Sequence, residues 1–357
     1  MDAEVIITNL KKRYTGVSGT INALLPEQSK TLKIGFVGTD LPGSKRAAQE
    51  NPENFAHLSL WQAIIASRKT LPDGRKRIWH VRRDHEMLLV IILRDWLGWP
   101  IKTVFTSAAQ RRHSWFPRWL ISKMDTVIAT TPDAAAFVNA STVIPHGVDI
   151  DYFKPPRDKL NSWQRTGLPG KYGVGIFGRI RPEKGTDIFV DAMVEVLPDF
   201  PEFTAVIAGL CQPEFEKFKQ NLKRQIADHG LLDRIIFVGE VPPDQIRDWY
   251  ESVLITVACP RYEGYGLTLL EGMACGCAVV ASDTGIFKKV IYASGAGYIG
   301  PTGDSSSMAQ GLRRLMKAPE ESSRVGNLGR EYVIGELSVF HESTRIASTY
   351  RDIWQYS

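Results

Sequence analysis

The chain alternates short, continuously apolar runs with longer stretches whose apolar residues recur at helical spacing. Val5-Ile6-Ile7, Ile34-Gly35-Phe36-Val37, Ile78-Trp79-His80-Val81, Val104-Phe105, Val127-Ile128-Ala129 and Val143-Ile144 read as strands, with helices predicted over 56–67 and 87–97. A second series follows at Gly173-Val174-Gly175-Ile176-Phe177, 205–208, 235–238, 255–257, 279–281 and 297–299, with a helix through Ile188, Phe189, Ala192, Met193 and Val196. Strands that are apolar throughout are buried on both faces, so the pattern predicts α/β architecture with parallel sheets covered by helices on each side. Ligands of such sheets bind at the carboxyl ends of the strands. A last amphipathic helix is predicted over 340–356.

Between the two series, Pro145-His146-Gly147-Val148-Asp149 leads into a Pro-rich, charged stretch over 153–170 that reads as an inter-domain linker. At 357 residues the chain exceeds a single core, and two domains are expected, 1–155 and 156–339, with the final helix, about 340–357, packing back on the first. Gly173 to Gly178 satisfies G-x-G-x-x-G, but its own Val-Ile-Phe residues form the strand, so the dinucleotide-binding reading is rejected.

Three stretches carry candidate chemistry. Glu263-Gly264-Tyr265-Gly266-Leu267 followed by Thr268-Leu269-Leu270-Glu271 describes a loop turning into a helix, with one carboxylate before the helix and one on its second turn. Glycine lets a ligand approach the backbone, and the unpaired N–H groups of a first helical turn favour anions or hydroxyls. Gly178-Arg179 and Lys184-Gly185 flank a polar loop after the strand ending at Phe177, placing a planar cation and a mobile one on the same segment. Tyr14-Thr15-Gly16-Val17-Ser18-Gly19-Thr20 reads either as a phosphate-binding turn or as a plain turn with Ser18 or Thr20 as helix cap.

Charge is uneven: residues 1–150 hold 20 Lys and Arg against 13 Asp and Glu, and the remainder 24 against 26. The basic half suits an anionic partner of unspecified kind. Arg111 to Lys123 concentrates four cations and three aromatics before Asp125, which fits anionic lipid, nucleic acid, or a helix with inward aromatics. The four cysteines lack paired spacings, so small buried side chains and a reducing compartment are expected; there is no Asp-x-Asp or His-Glu-x-x-His metal motif. No run is long enough to span a bilayer and no signal-peptide pattern opens the chain, giving a cytoplasmic expectation.

In arrangement and spacing, Gly178-Arg179, Lys184-Gly185 and the Glu263/Glu271 pair resemble the family 4 retaining glycosyltransferases, most strongly between Val174 and Ser282. Pro145 to Asp149 resembles that family's Asn-Gly-Val-Asp signature, with His146 in place of Asn. Thr8-Asn9-Leu10-Lys11, Tyr14 to Thr20 and His80-Val81-Arg82-Arg83 look like bacterial lipopolysaccharide core mannosyltransferases. The resemblance implies the GT-B fold, two Rossmann-like doubly wound domains facing a central cleft, acceptor-side first and donor-binding second. It implies Arg179 and Lys184 on the departing diphosphate, Glu263 on the transferred sugar and Glu271 on the ribose. The amides of Gly264, Tyr265, Gly266 and Leu267 would hold sugar or phosphate, with Gly178 beside them. Val238, Gly239 and Val241 would hold the base, and Gly16 and Gly19 would face the diphosphate. It further implies no metal or cofactor, and GDP-mannose as donor to an inner-core acidic sugar, Kdo, on a lipid at the inner membrane. UDP- or ADP-glucose or galactose are the alternative donors, and an inactive or nucleic-acid-binding protein is the non-enzyme alternative. The family's acceptor-side His is absent: Ser107-Ala108-Ala109 stands there, and His113 is the nearest substitute. Arg82, Arg83, His85 and Glu86 are candidates for gripping an anionic acceptor.

Overall fold

A computed structural model describes residues 2–11, 13–108, 114–140 and 142–355. It divides into two compact units, one of Met1–Asp149 with Leu337–Ser357, the other of Ile150–Glu336.

The first unit is a seven-stranded sheet of β1 (Val5–Asn9), β2 (Ile34–Gly38), β3 (Phe55–His57), β4 (Arg77–Val81), β5 (Ile101–Ser107), β6 (Thr126–Ala129) and β7 (Thr142–Val143). All neighbours are parallel, in the order β3-β2-β1-β4-β5-β6-β7. The order reverses between β1 and β4, which makes that pair the topological switch point. One face packs on the helices Gly16–Gln28 and Val339–Gln355 through Ile7, Leu24, Ile78, Val104 and Ile346. The opposite face packs on Asp84–Ile91, Trp115–Ser122 and Pro132–Val138 through Ile6, Trp79, Val90, Leu120 and Ala134.

Three expectations change here. Phe55–His57 is a strand, and the helix begins only at Leu60, because Ser59 accepts from the Gln62 N–H while Gln62 returns a bond to the Ser59 N–H. The helix predicted over 87–97 starts at Asp84 and ends in a π turn, Ile92–Trp96. Gly16 and Gly19 lie inside the first turn of a helix capped by Thr15, and the Gly19 N–H is already donated to the Thr15 carbonyl at 2.9 Å. Neither Ser18 nor Thr20 is the cap.

The segment Pro145 to Asp149 is bonded to the chain's return into this unit. The Val148 N–H donates to Leu337 O and the Val339 N–H to Val148 O. Glu342 accepts from the Gly147 N–H at 2.8 Å and pairs with His146 Nδ1 at 2.7 Å. Gly147 is required here, since a Cβ would lie 2.3 Å from Ser338 O.

The second unit is a six-stranded parallel sheet of β8 (Tyr172–Phe177), β9 (Phe203–Ala208), β10 (Ile235–Gly239), β11 (Val253–Ala258), β12 (Ala278–Ser282) and β13 (Gly297–Gly300). Its order is β10-β9-β8-β11-β12-β13, with the switch between β8 and β11. Val174, Ile207, Ile255 and Val280 meet Phe189, Met193 and Leu312 in its core. The stretch 153–170 is part of this unit and is no free linker. Asp158 caps a helix, Lys159–Gln164, whose Trp163 is buried, and Lys159 Nζ donates to the carbonyls of Val253 at 2.9 Å and Cys275 at 3.1 Å.

Candidate active site

The two loops with candidate chemistry leave adjacent strands of the second unit at the same end. After β8 comes Gly178, at φ +140°, then exposed Arg179 and a short 3-10 turn, Pro182–Lys184. After β11 the chain runs through Glu263 into the helix Leu267–Ala274. Across the switch point Lys184 Nζ donates to Glu263 Oε2 at 2.5 Å, both side chains partly exposed. The other Glu263 oxygen accepts the Gly264 N–H at 3.0 Å. One cation and one carboxylate are thereby held at the mouth of the sheet with their outer faces open.

Both loops are braced. Arg261 forks onto Asp187 at 2.8 and 2.7 Å, and its own N–H donates to the Glu183 carbonyl. Gly185, at φ +73°, lies so close to Cys259 that a Cβ would stand 1.9 Å from the Cys259 carbonyl. The Ile286 N–H donates to Tyr265 O, fixing the loop that carries Gly264, buried Tyr265 and Gly266.

Glu271 is one turn into the helix and accepts the Tyr250 hydroxyl at 2.8 Å. Desolvation pushes its carboxyl up to about 7, only partly countered by that hydrogen bond. Burial likewise holds the Tyr250 phenol well above its ordinary value, so it stays a donor. Val238 and Gly239 are the last two residues of β10 and Val241 follows it; Gly239 takes φ +84° and its carbonyl accepts the Gly209 N–H at 2.7 Å.

In the first unit, the candidates sit at the β1/β4 switch. Arg83 donates to Asn9 Oδ1 at 2.7 Å, Glu86 Oε1 at 3.3 Å and Thr15 Oγ1 at 3.3 Å. Glu86 is wholly buried, accepting the N–H groups of Leu10 at 3.1 Å and Arg82 at 3.0 Å. His85 is exposed beside it, 4.0 Å from Glu86. The guanidinium of Arg82 is buried and bonds to nothing among the described residues. His113 lies outside the described residues.

Residues 161–332 match the family of group 1 glycosyl transferases. The chain is 38% identical, over 99% of its length and 97% of the relative's, to the lipopolysaccharide core biosynthesis mannosyltransferase LpcC of Rhizobium leguminosarum. The chain belongs to the group 1 glycosyl transferases. A crystal structure of the C-terminal domain of the group 1 protein LpcC from Francisella tularensis superposes on 54% of the chain and 99% of that domain, at 35% identity and a TM-score of 0.52. The Anabaena protein HepE, crystallised with UDP and glucose, covers 98% of the chain and 100% of its own at 16% identity and a TM-score of 0.78, which identifies the fold as GT-B.

For a group 1 glycosyl transferase the arrangement makes chemical sense. Sugar transfer requires departure of a leaving group whose charge grows in the transition state, and fixed cations lower that barrier most. Sequence reasoning missed Tyr250, Arg261, Gly209 and also Gly285, which at φ +56° lies against Tyr265 so closely that a Cβ would stand 2.6 Å from its carbonyl oxygen. Tyr250 and Arg261 act through partners distant in sequence, so neither has a local signature. The glycines could have been found only as isolated glycines after strands. Among the described residues no group of His, Cys, Asp and Glu is placed to hold a metal ion.

Proposed function

We propose that the protein moves mannose from GDP-mannose, with retention of anomeric configuration, onto an acidic inner-core sugar of a lipid-linked glycan, with Kdo as the acceptor sugar. The Lys184/Glu263 pair at the β8/β11 switch carries the reading: a mobile cation faces the departing diphosphate while its carboxylate partner is free on one side for the hydroxyls of the transferred sugar. Arg179 adds a second cation on the same loop. Glu271, its carboxyl raised to about 7 and so part neutral, part ionised at pH 7, exchanges hydrogen bonds with the ribose, and the amides of Gly264 to Leu267 hold the sugar end. Val238, Gly239 and Val241 line the base. Resemblance to mannosyltransferases across nearly the whole chain favours mannose as the transferred sugar.

The acceptor is lipid-borne and is met at an anionic membrane surface. No helix among the described residues is long and apolar enough to cross a membrane, so contact is peripheral. The helix Trp115–Ser122 supports this by exposing Trp115, Phe116 and Trp119 around Arg118. The transfer uses no metal or cofactor.

The test is a panel of GDP-, UDP- and ADP-hexoses scored by thermal shift and by release of nucleoside diphosphate. GDP-mannose alone should raise Tm by several degrees and be turned over with the acidic lipid-linked acceptor. Preference for a UDP- or ADP-hexose refutes the donor assignment, and anomeric analysis of the product by NMR decides retention.

A further inference from the structure

Arg82 and Arg83 are neighbours of identical chemistry with opposite situations. Arg83 is spent on Asn9, Glu86 and Thr15, holding the loops after β1 and β4 together. Arg82 is 7% exposed, yet Nε, Nη1 and Nη2 all lack a hydrogen-bond partner, and it forms no ion pair among the described residues. A buried guanidinium without partners is costly, and native structures retain one only where something else compensates. The nearby Glu342, Tyr350 and Glu86 attract it, but desolvation outweighs them and draws its pKa below the ordinary value. Both oxygens of Glu342 are already committed, to His146 and to the Gly147 N–H.

Two further orphans stand at the ends of the next strands. The β4/β5 register, carried one residue on, sets Arg82 beside Thr106, and Thr106 aligns with Ile128. Ser107 Oγ, at the end of β5, and Thr130 Oγ1, just past β6, are buried without partners. Strands lie ~4.8 Å apart, so the ends of β4 and β6 are roughly 10 Å from each other, enough for one sugar ring. Alternation along the strands turns Ser107 to the opposite face, with Phe105 and Ala129, and leaves Arg82 and Thr130 as unused donors on one face, at the end where an α/β sheet binds its ligands.

We infer that Arg82 reads the carboxylate of the acceptor sugar, with Thr130 bonding one of that sugar's hydroxyls. This builds on the proposed acidic acceptor and narrows it to one residue. A carboxylate fits better than a phosphate. The planar fork matches either, but the Glu342 and Glu86 carboxylates face the same guanidinium and repel a dianion more than a monoanion.

The experiment compares initial rates on three lipid-linked acceptors: one ending in an ulosonic acid with a free carboxylate, its methyl ester, and a neutral sugar bearing a phosphate. Wild-type enzyme should favour the free acid over both others by about 10- to 100-fold in kcat/KM. Arg82→Gln should bring the acid-to-ester ratio close to one, mainly through KM. Arg82→Met should raise Tm by about 2–4 °C, because an unpaired buried charge is removed. If wild type discriminates and Arg82→Gln discriminates equally, the assignment of Arg82 is overturned. Wild-type preference for the ester or the phosphate overturns the carboxylate, and a fall in Tm of Arg82→Met shows a structural role instead. An enzyme that hydrolyses donor but uses none of the three acceptors refutes the acceptor reading itself, a result separate from these.

Discussion

Lys184 and Glu263 are 79 positions apart in sequence, yet Nζ and Oε2 lie 2.5 Å apart across the seam between β8 and β11. The pair is partly solvent-exposed, where an ion pair adds only about 0–1 kcal/mol to stability. Its value is therefore positional. Lys184→Ala should leave Tm nearly unchanged while lowering turnover by on the order of 10²–10³, and Arg179→Ala should do the same. Turnover within a few-fold of wild type would remove these residues from the mechanism.

Glu271 gives a pH signature. Its carboxyl titrates near 4.5 when exposed and is raised to about 7 here, with desolvation the leading cause. Between those values the folded state binds more protons than the unfolded one, so this group's contribution to stability is fully present below about pH 4.5. It is lost as pH rises through 7, by about 3 kcal/mol at most. Glu271→Gln, which mimics the neutral acid, should be more stable than wild type at pH 8 and equal to it near pH 4.5. Tyr250→Phe removes the bond that partly opposes the shift and should move the midpoint upward. Thermal unfolding of the three proteins across pH 4–9 checks the sign.

The strand positions were largely legible because the strands are buried on both faces and so read as continuous apolar runs. Phe55–His57 escaped because three residues carry no period, and the helix Lys159–Gln164 because its buried face is little more than Trp163. Loop residues such as Arg179, Lys184 and Glu263 were visible by type and spacing. The difference between Arg82 and Arg83 was not visible, since it depends on where Glu86 and Asn9 fold. That Gly16 and Gly19 open a helix was not visible, because glycine signals backbone freedom; Thr15 is the N-cap and its carbonyl takes up the Gly19 amide.

Gly209 tests how far the donor loop depends on backbone approach. It takes φ +157°, and a Cβ would come within 1.7 Å of the Gly178 carbonyl, the residue before Arg179. Gly285, at φ +56°, similarly supports the other loop, with a Cβ 2.6 Å from Tyr265 O. Gly209→Ala and Gly285→Ala should each lower Tm and cut turnover at least ten-fold, since displacement of about 1 Å is expensive in catalysis. Wild-type kinetics for both would show the loops to be adjustable.

A chelator should leave the rate of transfer unchanged, because the proposed mechanism places the leaving charge on Arg179 and Lys184. Loss of activity in EDTA with recovery on adding magnesium would reassign that role to a cation.

Membrane contact is tested at the helix Trp115–Ser122. Trp115 is 77% exposed and Trp119 41%, Phe116 stacks on Trp119 with ring centres 6.2 Å apart, and Arg118 stands among them. Aromatic rings beside cations suit the headgroup layer, where each basic residue contributes about 1 kcal/mol on anionic lipid. Co-sedimentation with phosphatidylglycerol-containing vesicles should weaken by about ten-fold for Trp115→Ala with Trp119→Ala, and about five-fold for Arg118→Ala. High salt should erase the second effect and spare the first, because screening acts on the charge and leaves apolar burial intact. Turnover on a water-soluble acceptor should stay at the wild-type level in both variants, so equal vesicle binding by wild type and variants would place the membrane contact elsewhere.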